Sequence, residues 1–287
     1  MLDVDTVKNW HFPEQKQCYT ESDSMLYALA LGYGQQPTCA EELRFVYEKA
    51  LMAVPTMATT LCHPGFWVSD PKTGIDATRV VHGEHLMRFH KPLQPAGTVR
   101  GKTRVTDVID KGGDKGAIVL TERSLFDDET DELLVSIEQL TLCRGDGGFS
   151  GKTPAKKTSS GKAFLPNGNA DHRVKIPTLP QAALLYRLNG DLNPLHADPV
   201  VAEKAGFKGP ILHGLCTYGI AARAILASCL RNDPARLASL KVRFSSPVYP
   251  GETIITEIWR EQSHINFQCI VAERKVVVVS NGIAETT

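Results

Sequence analysis

Alternating apolar and polar positions mark strands in two separate stretches of the chain. In the first, Val99 to Val108 leads on to Ala117-Ile118-Val119-Leu120-Thr121, and Leu133 to Cys143 closes the set. In the second, Ile254 to Trp259 leads on to Ile265 to Val271, and Lys275 to Ser280 closes it. These runs alternate or are β-branched, as suits strands half buried against a neighbouring layer. Ahead of the second set, the run following His213-Gly214 to Leu230 is apolar nearly all round. That pattern predicts a buried helix rather than a surface one. Asn232-Asp233-Pro234 ends it, because proline cannot continue a helix. Ahead of the first set, Glu42 to Val54, stopped by Pro55, is the weaker counterpart.

The two stretches share an internal frame. Arg88-Phe89-His90-Lys91-Pro92-Leu93-Gln94-Pro95-Ala96-Gly97-Thr98 aligns without a gap on Arg243-Phe244-Ser245-Ser246-Pro247-Val248-Tyr249-Pro250-Gly251-Glu252-Thr253. A turn with matched prolines, followed by strands in the same order, points to duplication. The implied fold is α+β, with one buried helix wrapped by an antiparallel sheet, twice over. Between the copies, residues 144–161 are rich in Gly, Ser and Lys with no apolar period, which reads as a linker. The expected organisation is therefore an N-terminal half over 1–145, a linker over 146–162 and a C-terminal half over 163–287, each half of ordinary domain size.

Composition narrows the partners. Thirty-two basic residues balance thirty-two acidic ones among 287, so no global field draws the chain to nucleic acid or to an anionic membrane. Any anionic ligand needs a local cation. Seven scattered cysteines without a C-x-x-C pair read as reduced thiols, and they give no structural zinc. Met1-Leu2-Asp3-Val4-Asp5 lacks signal-peptide character, and no apolar run reaches a membrane span of about 18 residues. Glu285-Thr286-Thr287 is not an S-K-L-type address. The expected compartment is the cytoplasm, with the peroxisome as the alternative. Ser150-Gly151-Lys152-Thr153 matches the end of a phosphate-binding loop, but Asp146 stands where the earlier glycine belongs.

Reactive side chains concentrate between Tyr186 and Pro199. Gly190-Asp191 and Asn193-Pro194 are turn dipeptides, so Asp191, Asn193 and His196 fall on a tightly turned segment. A carboxyl group and an imidazole this close can hold one water between them, with the Asn193 amide orienting either partner. An Asx turn with a neighbouring histidine is the alternative reading. Further on, Gly214 stands at the start of the buried helix, where a backbone N–H lacks an intrahelical partner and the dipole favours negative charge. That suits an oxyanion hole for a thioester enolate. A glycine needed for close helix packing is the alternative there.

Tyr186-Arg187-Leu188-Asn189-Gly190-Asp191-Leu192-Asn193-Pro194-Leu195-His196-Ala197-Asp198-Pro199, continued by Ala205 to Gly219 with its K-G-P-I-L-H-G-L core, resembles the hydratase 2 motif of (R)-specific enoyl-CoA hydratases in the MaoC-like group. That group includes the hydratase 2 unit of peroxisomal multifunctional enzyme type 2. His82-Gly83-Glu84 and Gly145-Asp146-Gly147-Gly148-Phe149 extend the resemblance over nearly the whole chain. It implies a double hot-dog fold and a homodimer that needs no cofactor or metal and takes an acyl-CoA thioester as substrate. It also implies that Asp191 and His196 activate water, Asn193 holds the pair, and the Gly214 N–H binds the thioester oxygen. His82, Gly83, Leu192, Pro194, Leu195 and Phe244 are implied to contact the acyl-CoA, and Lys111 to neutralise a CoA phosphate. Tyr27 to Gly32 occupies the place of Tyr186 to Asp191 without an acid or histidine, so the N-terminal half is expected to be degenerate. A hot-dog thioesterase, in which the acid directs water at the carbonyl carbon, and a binding module without turnover are the rival readings.

Overall fold

The computed structural model describes residues 2–151, 165, 166 and 168–287. Most of the expected linker, and the second half of the loop-like Ser150–Thr153 stretch, lie outside the described residues. Ten strands form one sheet. They are β1 (Gln15–Tyr19), β2 (Val80–Phe89), β3 (Gly97–Asp110), β4 (Ala117–Asp127), β5 (Leu133–Cys143), β6 (His172–Pro177), β7 (Leu237–Phe244), β8 (Thr253–Arg260), β9 (His264–Val271) and β10 (Val276–Thr286).

The sheet order is β1-β3-β4-β5-β2-β7-β10-β9-β8-β6, and every pairing is antiparallel. Read outward from the middle, both sides run through the same sequence of strands, which is the duplication written in space. The seam is β2 against β7, in register from Glu84↔Arg243 to Arg88↔Ser239. The repeated Arg-Phe pairs end β2 and β7, and the repeated Pro-Gly turns open β3 and β8. This is a double hot-dog fold.

The helices are α1 (Val4–Lys8), α2 (Glu21–Ala30), α3 (Ala40–Leu43), α4 (Ala182–Tyr186), α5 (Pro199–Lys204) and α6 (Gly214–Cys229). The long apolar run is α6, buried from Cys216 to Leu226. The expected first-half helix over Glu42–Val54 does not form. Only Glu42 and Leu43, the last two residues of α3, are helical there, Ala50 takes φ 57°, and Pro55–Thr59 is a buried 3-10 turn. The cause is tertiary, because α6 packs against both halves. A Cβ on Gly219 would lie 2.6 Å from Leu31 and 3.0 Å from the Tyr27 hydroxyl. One helix therefore reaches residues of both halves.

The N-terminal half carries a glycine at the position that aligns with Asp191. Gly32, the counterpart of Asp191, has φ +83°, and a Cβ there would lie 2.9 Å from the Arg223 guanidinium. Arg223 reaches out of α6 to donate to the Leu31 carbonyl at 3.1 Å and to the Glu42 carboxylate at 2.5 Å. Both side chains are largely buried, at 7% and 17% exposure. Removing one partner of such a pair leaves an uncompensated charge. Glu42→Ala is thus expected to lower unfolding free energy by about 3 kcal/mol, read from the shift of the urea midpoint.

Candidate active site

The segment between α4 and α5 turns sharply because its residues satisfy their own backbone. Gly190 takes φ 111°, and the Asp191 carboxyl accepts from Asn193 N at 3.2 Å. Asn193 Oδ1 then caps a 3-10 turn over Pro194–His196 by accepting from Leu195 N at 3.0 Å. The turn carries His196 inward, where it is buried, and leaves Leu192 61% exposed at the rim.

His196 Nδ1 lies 2.8 Å from the Ile211 carbonyl. A carbonyl only accepts, so Nδ1 carries the proton, and in the neutral ring Nε2 presents a lone pair. His213, which immediately precedes α6, stacks on His196 with ring centroids 3.7 Å apart. By the same logic its Nε2 donates to the Asp191 backbone carbonyl at 3.2 Å. Ligand-type atoms of Asp191, His196 and His213 all lie within 4.8 Å of one another. Two acceptors at that separation can share one water, given hydrogen bonds of about 2.8 Å. A metal is a poorer match. A bound ion lies in the plane of each imidazole at about 2.1 Å, and stacked rings offer no common point at that reach.

Gly214 opens α6, and its N–H has no hydrogen-bond partner among the described residues. The Phe244 ring, at the end of β7, covers it: a Cβ on Gly214 would lie 3.3 Å from that ring. Phe244 in turn meets His82 edge-on at 4.9 Å. His82 stands at a bulge in β2 where a Cβ on Gly83 would come within 2.7 Å of Leu140. Asp191, Asn193, His196, Gly214, His82, Gly83 and Phe244 thus belong to one neighbourhood, with Pro194 and Leu195 in the turn beside them. Lys111 lies apart from His82, in the turn joining β3 to β4, at the same end of the sheet but three strands over.

Sequence reasoning assigned no role to His213, His85, His63, Tyr186 or Arg123. His85 Nδ1 and His82 Nε2 are 3.2 Å apart, and the Tyr186 ring is 4.8 Å from His213. An available signal was parity: Arg123 occupies a core-facing position of β4, between Thr121 and Leu125 on the same face.

Burial lowers the pKa of every imidazole here. His63 and His82 fall to about 4, with Arg123 also depressing His63 and the His63 ring depressing His82, while Asp191 pulls both upward. His213 falls to about 4 through burial and then His196; His196 and His85 are also lowered, by burial first. Each is therefore neutral when folded and protonated more readily when unfolded. Below the ordinary histidine value of 6.5 the unfolded chain binds more protons, so stability rises with pH between about 4 and 6.5. Acidification from pH 7.5 to 5 is expected to lower unfolding free energy by at least about 2 kcal/mol, checked by urea titrations across that range.

Fold and site together define a double hot-dog protein with a carboxyl group and two imidazoles beside a helix N-terminus. Comparison with known proteins agrees: residues 18–145 match the MFE-2 hydratase 2 N-terminal domain and residues 163–282 the MaoC like domain. Enoyl-CoA hydratase ChsH3 of Mycobacterium tuberculosis is 36% identical, over 98% of both chains. Peroxisomal multifunctional enzyme type 2 of mouse is also 36% identical, over 95% of this chain, which spans 37% of that longer protein. The crystal structure of a MaoC-like dehydratase from Phytophthora capsici superposes with TM-score 0.83 at 32% identity, covering 100% of this chain and 99% of the other. The chain belongs to the hydratase 2 family of MaoC-like proteins. Among the described residues no helix is long and apolar enough to cross a membrane.

Proposed function

We propose that this protein reversibly hydrates trans-2-enoyl-CoA to (3R)-3-hydroxyacyl-CoA in acyl-CoA metabolism. The observation that carries the reading is the unpartnered Gly214 N–H at the head of a sixteen-residue buried helix, beside the Asp191/His196 pair. In the forward direction that N–H donates to the thioester oxygen as charge develops on it. Water held between the His196 Nε2 and the Asp191 carboxyl forms its bond to C3. The pair takes one water proton and delivers a proton to C2, so that H and OH add across the double bond. Asn193 holds the turn, and His213 fixes the His196 ring by stacking and the Asp191 backbone by hydrogen bonding.

The N-terminal half supplies binding surface rather than chemistry. Its His82 and Gly83 wall the thioester together with Phe244 of the C-terminal half, and its Lys111 meets a CoA phosphate; Leu192, Pro194 and Leu195 of the C-terminal half line the entrance. The relatives' names support an acyl-CoA substrate. A homodimer, a cytoplasmic location and, as its alternative, a peroxisomal one belong to the same proposal, the last because the mouse relative is peroxisomal by name. The test is loss of enoyl absorbance with trans-2-decenoyl-CoA, with the product resolved on a chiral column. A (3R) product carries the reading. Release of free CoA thiol would identify a thioesterase, and a (3S) product would place water on the wrong face.

A further inference from the structure

The inner face of the N-terminal sheet is divided. Val99, Leu125, Val135 and Ile137 are buried in the main core at one end, while Val108, Val119 and Cys143 form a separate apolar cluster at the other. Between them the inward positions turn polar. Thr103 pairs with Arg123 across β3 and β4; Thr121 pairs with Gln139, and Gln139 with His85, across β4, β5 and β2. Thr103, Thr121 and Gln139 are only half-buried. No long helix of the N-terminal half covers it.

Arg123 is 6% exposed on this strip. Its Nη2 donates to the Thr59 carbonyl at 2.8 Å, but Nε and Nη1 are buried without a partner, as is His85 Nε2. Among the described residues no carboxylate pairs with it. Burial lowers its pKa only to about 10, which leaves a cation at neutral pH. An unpaired buried charge is costly, and the structure keeps one at a position where a valine or leucine would pack. It is also close to the chemistry. Thr59 Oγ1 lies 3.5 Å from the Tyr186 hydroxyl, the Tyr186 ring is 4.8 Å from His213, and His213 holds Asp191.

We propose that Arg123 makes this protein selective for 2-enoyl thioesters whose acyl chain carries a terminal carboxylate, which pairs with the guanidinium on the polar strip of the N-terminal half. The assignment rests on the hydration reading above and names its substrate class. A hydrocarbon tail drawn over this strip leaves the N–H groups on Nε and Nη1 unsatisfied, whereas a carboxylate satisfies them and neutralises the charge. Arg123 is then a specificity residue, remote from the reacting atoms.

The test compares trans-2-enoyl-CoA substrates of six to twelve carbons with their ω-carboxy counterparts, as kcat/KM ratios, in the wild type, Arg123→Met and Arg123→Lys. The expected wild-type ratio favours the ω-carboxy substrate at one chain length. It falls at least tenfold in Arg123→Met and partly recovers in Arg123→Lys. A wild type that prefers the unsubstituted chain at every length overturns the assignment, as does a variant that lowers both activities equally. Should Arg123→Met fail to fold, the wild-type ratio and Arg123→Lys decide. Hydration of unsubstituted chains alone leaves the reaction standing and removes the carboxylate; inactivity with all of them removes both.

Discussion

Asp191→Asn and His196→Gln are each expected to lower kcat for enoyl-CoA hydration by about 10²–10⁴-fold, the range of lost acid–base catalysis. Neither change should unfold the site. Asparagine keeps the Oδ1 that accepts from Asn193 N at 3.2 Å, so the turn survives. Glutamine keeps a donor for the Ile211 carbonyl that His196 Nδ1 now meets at 2.8 Å. What each removes is a group basic enough to take the water's proton. Because the two groups act on one water, the double variant should be little worse than either single one. Stopped-flow absorbance, with substrate affinity measured separately, checks this; near-wild-type kcat in both variants would end the water-holding role of the pair.

The second large effect belongs to a backbone atom. Gly214→Pro removes one N–H and little else, since proline is favoured at the first position of a helix. The preceding residue tolerates it: His213 has φ −56° and ψ 134°, the extended region that a residue before proline prefers. The one crowded contact is the Phe244 ring, 3.3 Å from the new Cβ. Gly214→Ala meets the same ring but keeps the N–H, and so serves as the control. Loss of the oxyanion donor should lower kcat by about 10²–10³-fold in the proline variant, with a much smaller loss in the alanine variant. Equal losses in both would mean that crowding at Phe244, not the hydrogen bond, governs the site.

Much of the site was legible because its signals are local. Turn dipeptides around Asp191 and Asn193 placed the loop, and the unbroken apolar run after Gly214 placed the helix whose N-terminus faces it. The failure at Glu42–Val54 has the opposite character. Its apolar spacing was compatible with a helix, but Glu42 is drawn away to Arg223, 181 residues distant.

The same division runs through the whole molecule. The sequence by itself determined the strands, the duplication and the reactive turn, since alternation, proline placement and Asx chemistry act within a few residues. Only the tertiary structure decided that α6 packs against residues of both halves, that His213 stacks on His196, and that Arg123 faces inward with no carboxylate partner among the described residues. Those are meetings between residues far apart in the chain, settled by which side chains the antiparallel register brings to one face and which volumes α6 leaves open.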